Sequence, residues 1–343
     1  MKLLFNILSY FILNFYFISI NTQSTQTQTT KTPQEMFDEI NFKNQMLSSI
    51  SETLVDNKAT PNYTPAFVKY VEDEWPWSCS EGMNQSPINF SGSLSGYSTK
   101  EVMKIEFINY KLVRGVALLT LYDSSVDTIK FIEDQGYLIV RKNGYLYKYN
   151  ATEIQFHVPS EHTFDGMSGD LEMHIIHKKD EYYTQQMLID NNLTKDPDEA
   201  FTLLYLAVIY QSVTDREDSN IRTLRVNNKG PVVNFDLSVY VPIESPFFFY
   251  EGSQTMPLPE CTENVNWIVP MKMAVMSKAQ VNFFISWLLN IYSSKGNARR
   301  TKNLNGRNVY FQLYKNPNPK SASNSNYINS KIILLIFIMV LLI

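Results

Sequence analysis

Hydrophobic and polar residues alternate in short runs through the middle of the chain, and a period of two predicts strands. Ile154, Phe156 and Val158 alternate with Gln155 and His157; Leu171, Met173 and Ile175 alternate with Glu172 and His174. In both runs the histidine shares a face with a polar residue. Other strand-like runs, LVRGVALLTLY, TIKFI, GYLIV and VVNFDLSVYVP, are separated by turn residues. FTLLYLAVIYQ at 201–211 is apolar almost throughout and fits either a helix or a buried strand. Helical spacing marks two segments: Val281, Phe284, Leu288 and Ile291 follow Lys278, and Met36, Ile40, Met46, Leu47, Ile50 and Leu54 predict an amphipathic helix over 35–57. The fold class that follows is mainly β with peripheral helices, without internal repeats.

The two ends have a different character. Residues 1–22 carry one Lys and then a nearly unbroken apolar run, which reads as a secretory signal peptide. Residues 23–62 form a polar stem that includes the amphipathic helix, and the compact domain runs over 63–314. A linker at 315–331 holds small and polar residues, with a glycolipid attachment region around Ser321 to Asn326. The apolar tail 332–343 is shorter than the roughly 20 residues needed to span a bilayer and matches a glycolipid-anchor signal. The expected location is the cell surface by the secreted pathway, with the membrane as a partner through the anchor.

Composition adds a boundary on function. Of 343 residues 44% are hydrophobic and 19% charged, which suits a globular chain, and the net charge of −4 comes with no basic stripe for nucleic acid. Cysteine occurs twice, at Cys79 and Cys261, and an even count in an exported chain favours a disulfide. Asn-x-Ser/Thr sequons stand at Asn62, Asn89, Asn150 and Asn192; another at Asn84 overlaps a motif described next.

The stretch Ile154 to His177, IQFHVPSEHTFDGMSGDLEMHIIH, contains all four histidines of the chain: His157, His162, His174 and His177. It resembles the zinc segment of the α-carbonic anhydrases, HxHxPSEH followed by ExHxxH. CSEGMNQSPINF at 79–90 is similar to that family's CxxGxxQSPINI. GSQTMPLPECTENVNW at 252–267 resembles GSLTTPPCTExVxW with two extra residues, and GNARRTKNLNGRNVY at 296–310 resembles GNxRPxQPLNGRxVY. Four motifs in order cover roughly 63–314. The resemblance implies a large central, mostly antiparallel twisted sheet with a metal at the bottom of a cone, a buried strand at 201–211, and a Cys79–Cys261 disulfide.

A catalytic zinc takes three protein ligands and an open position for water, whose pKa it lowers from about 15.7 to about 7. By the resemblance, His157 and His174 match two metal ligands, and Glu172 the carboxylate behind the latter. Thr255 matches the hydroxyl that orients the bound hydroxide, and Glu161 the carboxylate behind that hydroxyl. Ile176, Val208, Val265 and Trp267 match the apolar wall, while His162 and His177 match structural positions. Three departures stand out. Gln155 falls on the first ligand position, Gln254 on an apolar wall residue, and Met256 on a second threonine. The proton-shuttle position, near Ser125, has no histidine. A gapped alignment of QFH on the family's QFHFH still leaves two ligand histidines. An amide oxygen is a poor zinc donor beside imidazole. The expectation is a catalytically impaired, carbonic-anhydrase-related surface domain that holds zinc weakly or not at all and binds a surface ligand. The alternative is a zinc-dependent carbonic anhydrase that hydrates CO2 to bicarbonate with His157, His174 and Gln155.

Overall fold

The computed structural model describes residues 77–313, apart from 92, 94–95, 118, 122–127, 132–133, 214–216, 225–231, 243–244, 257–260 and 293–296. The signal peptide, the helix expected over 35–57, Asn62, Ser125, the linker and the apolar tail lie outside the described residues.

Along the chain the strands are β1 (Asn89–Phe90), β2 (Met103–Tyr110), β3 (Leu112–Ala117), β4 (Leu119–Leu121), β5 (Thr128–Phe131), β6 (Gly136–Lys142), β7 (Tyr145–His157) and β8 (Thr163–Phe164). They continue with β9 (Met167–Ser168), β10 (Leu171–Lys179), β11 (Leu203–Val213), β12 (Val232–Asp236), β13 (Phe247–Gly252), β14 (Val265–Pro270), β15 (Ala274–Ser277) and β16 (Tyr310–Gln312). The main sheet runs β16-β13-β14-β11-β10-β7-β5-β4, with β15 beside β11 and β6 joining β7 to β2. Its pairings are antiparallel except β11 with β14 and with β15. The ambiguous run at 201–211 is thus a central strand. VVNFDLSVYVP is a strand only in its first half: Asp236 caps a 3₁₀ turn at Leu237–Tyr240 by accepting from Ser238 N at 2.9 Å.

The sheet is buried on both faces. On one, Ile154, Phe156, Met173, Ile175, Leu206 and Ile268 form a continuous apolar layer. The helix Lys278–Tyr292 covers it through Val281, Phe284 and Leu288, with the Phe156 and Phe284 rings 4.8 Å apart. The other face carries Ile176, Tyr205, Ala207, Val265 and Trp267, and it is here that the polar side chains of β7 and β10 project.

Candidate functional site

Strands β7 and β10 are antiparallel neighbours, with His174 directly opposite Gln155 and Glu172 directly opposite His157. Residues opposed in a ladder share a face. Four polar side chains therefore converge on one side, while their neighbours Phe156 and Met173 enter the apolar layer behind. All four histidines are fully buried, so a ring nitrogen without a partner in the protein carries a desolvation cost.

Glu172 organises two of them. One carboxylate oxygen, Oε1, accepts from His162 Nδ1 at 2.6 Å and from His174 Nε2 at 2.7 Å; Oε2 accepts from His162 N at 2.7 Å. Burial pushes this carboxyl up, but His162 and His174 together hold it well below its ordinary range. An ionised Glu172 fixes His174 as the Nε2–H tautomer, with a lone pair on Nδ1. Burial, reinforced by nearby His157, holds His174 below its usual range and hence neutral. The Tyr250 hydroxyl extends the chain, 2.7 Å from His162 Nε2 and 3.0 Å from Ser86 Oγ.

His157 is held from a distant segment. Its Nδ1 lies 3.2 Å from the Asn297 carbonyl and 3.1 Å from Glu161 Oε1, so Nε2 is the nitrogen it would offer a metal. Glu161 also accepts from Arg299 N at 2.9 Å. Burial raises the Glu161 carboxyl, and His157 more than reverses that. The Asn297 side chain pins the end of β7 through Val158 N at 3.0 Å and Phe156 O at 2.6 Å.

Two triads, His157–Glu161–His174 and His162–Glu172–His174, bring ligand atoms within 4.8 Å of one another. In both, the carboxylate already accepts hydrogen bonds, and so supports imidazoles. The atoms left over are different ones. Gln155 Oε1, Glu161 Oε2, His174 Nδ1 and Thr255 Oγ1 are buried and make no hydrogen bond.

This architecture has known counterparts. The family model for eukaryotic-type carbonic anhydrases matches residues 70–313. The chain belongs to that family. Alpha carbonic anhydrase 3 of Arabidopsis thaliana is 26% identical over 282 residues, covering 80% of this chain and 92% of the relative. Dioscorin DB3L of Dioscorea polystachya is 26% identical over 260 residues, 75% of this chain and 84% of the relative. Carbonic anhydrase Cah3 from Chlamydomonas reinhardtii, solved in complex with acetazolamide, superposes with a TM-score of 0.55 at 21% identity, covering 74% of this chain and all of that one.

Within this carbonic anhydrase fold, the disulfide expected between Cys79 and Cys261 is formed. Arg299 ties it to the polar floor, donating from Nη2 to the Cys79 carbonyl at 2.6 Å and to Gln85 Oε1 at 2.9 Å. Thr255 is buried beside half-buried Gln254 and Met256. Ile176, Val265 and Trp267 lie together in the layer on the histidine side.

Val208 does not join them. It stands opposite Met173 and packs with Ile154 and Phe156 on the far side of the sheet. Tyr205 is the residue opposite Ile176, with its ring 4.8 Å from Trp267 and 5.8 Å from His174. The resemblance put Val208 on this wall, but the register of the strand turns it to the other face and brings Tyr205 there instead. Asn297 lay inside the GNARR motif without an assigned role, and no sequence signal singled out Tyr250.

The described sequons differ in setting. Asn192 is exposed, just past the helix Glu181–Asp190, at φ 53°. Asn89 is exposed on β1, its Oδ1 accepting from Thr163 Oγ1 and Gly166 N. Asn150 is half-buried within β7 and donates to Asp180 Oδ2 at 3.0 Å.

Proposed function

We propose that this chain is a carbonic-anhydrase-related domain with an incomplete metal centre, acting as a binding module at the cell surface. One observation carries the reading: the residue opposite His174, two before His157, is Gln155. His174 Nδ1 and His157 Nε2 are good zinc donors. The side chain that would complete the set offers a neutral amide oxygen, whereas zinc at such centres takes nitrogen, thiolate or carboxylate. The donor set does not fit a catalytic zinc. Gln254 adds an amide to the wall where CO2 would rest, and that wall must be apolar to hold an apolar substrate.

The deciding experiment measures zinc stoichiometry and CO2 hydration on the same purified sample. Well under one zinc per chain with hydration near background is expected. Tight stoichiometric zinc with sulfonamide-sensitive hydration overturns the reading. That result would establish the second one, a working carbonic anhydrase with Gln155 as third ligand and CO2 and bicarbonate as substrate and product. The fact favouring this alternative is that Gln155 Oε1 is buried without a hydrogen bond.

A further inference from the structure

Solvent reaches only part of the way to the two histidines. Gln155, Gln254 and Met256 are half-buried, whereas His157 and His174 are 0% exposed, Thr255 1% and Tyr205 2%. The side chain at that boundary is Tyr205. Its ring meets Trp267 edge-on, and its hydroxyl donates to Gln254 Oε1 at 3.4 Å. Gln254 is steadied in turn by Asn264 Oδ1, 3.4 Å from its Nε2. Burial, then the charges of Glu153 and Glu161, raise the Tyr205 pKa, so the phenol stays a neutral donor. Glu153, opposite Ile176 on β7, shares the face of Gln155.

We propose that Tyr205, latched to Gln254, stops the cone above His157 and His174 and keeps CO2, bicarbonate and other small solutes from the polar floor. A phenol ring in the wall fills volume that a branched aliphatic side chain there leaves open. The amide latch holds it across the approach to His174, whose ring is 5.8 Å away. The inference deepens the reading of the site as an incomplete metal centre, but it concerns access, not donors, so each can fail without the other.

The test is carbethoxylation of the folded full-length chain with diethyl pyrocarbonate, read residue by residue by mass spectrometry. In the wild type His157 and His174 stay protected. In Tyr205→Val they react about ten-fold faster or more, while His177, paired with Tyr110 away from the wall, stays protected as the internal sign of folding. Unchanged protection of both in folded Tyr205→Val, or ready labelling in the wild type, overturns the proposal. Should Tyr205→Val expose His177 as well, Gln254→Ala decides. It removes the latch and leaves the ring, and selective labelling of His157 and His174 supports the stop while continued protection refutes it. Cobalt supplied during refolding, so that the metal need not pass the tyrosine, separates the two ideas. Uptake by Gln155→His tests the donor account, and the response of its visible spectrum to thiocyanate tests access. A response in Gln155→His/Tyr205→Val but not in Gln155→His is expected, and equal responses sink the stop. No cobalt uptake by Gln155→His sinks the donor account, and the stop then stands or falls on the labelling alone.

Discussion

His174 donates from Nε2 to Glu172 at 2.7 Å, and this single bond sets which nitrogen the ring presents to the cone. Glu172 accepts two further hydrogen bonds from His162 while fully buried. Glu172→Gln would replace an acceptor by an amide that must turn an N–H toward a donor. Losing these charge-assisted bonds is expected to destabilise the fold by about 3 kcal/mol. Urea unfolding checks it; a change below about 0.5 kcal/mol would mean that the carboxylate is dispensable.

Gln155→His should raise zinc content more than any other single replacement, because His157, His174, Glu172, Glu161 and Thr255 already stand in place. Metal analysis after refolding with zinc and dialysis should rise from well under one zinc per chain toward one. Hydration should stay low while Tyr205 and Gln254 remain. A folded variant that takes up no zinc would show that the floor has lost more than one donor.

The Cys79–Cys261 bridge should leave no thiol to titrate in the native protein. It closes a separation of 182 residues, and reduction is expected to lower stability by about 2–5 kcal/mol. Thermal unfolding with and without reductant reads the difference. Two reactive thiols in the folded chain would contradict the bridge.

Acid should weaken the fold through His177. Burial holds its pKa down to about 4, below the ordinary value of about 6.5. Between those values the unfolded chain binds a proton that the folded one refuses. This contribution is complete above about pH 6.5 and falls away toward about pH 4, with a total on the order of 3 kcal/mol. Urea midpoints across that range should fall less steeply in His177→Gln. Parallel slopes would place the acid sensitivity elsewhere.

The apolar tail at 332–343 and the polar stretch before it predict a glycolipid tether. Phosphatidylinositol-specific phospholipase should release the protein from intact cells alongside an anchored control. Retention while the control leaves would refute the tether.

How much of the site the sequence disclosed depends on whether a strand has one buried face or two. Along 154–158 and 171–175 polar side chains alternate with apolar ones, so the faces of Gln155, His157, Glu172 and His174 follow from spacing alone. Along 203–210 every side chain is apolar or aromatic because both faces are covered. A run without alternation has no marked side. Only the pairing of Tyr205 with Ile176 and of Val208 with Met173 shows which residue meets the histidines. The 3₁₀ turn after β12 was hidden for a different reason: its apolar residues fit a strand, and only the Asp236 side chain bonding ahead to Ser238 N ends the ladder.

The supports of His157 and Glu161 come from a part of the chain made much later. Asn297 reaches back 140 residues to His157, and Arg299 reaches 138 to Glu161 and 213 to Ser86. Closing loops of that length is slow relative to pairing neighbouring strands. During synthesis, β7 and β10 can pair as soon as both have emerged, while the carboxylate beneath His157 still lacks its backbone donor. The floor is therefore a late product of folding. A chain halted before Asn297 would carry His157 and His174 in paired strands and still have no finished floor.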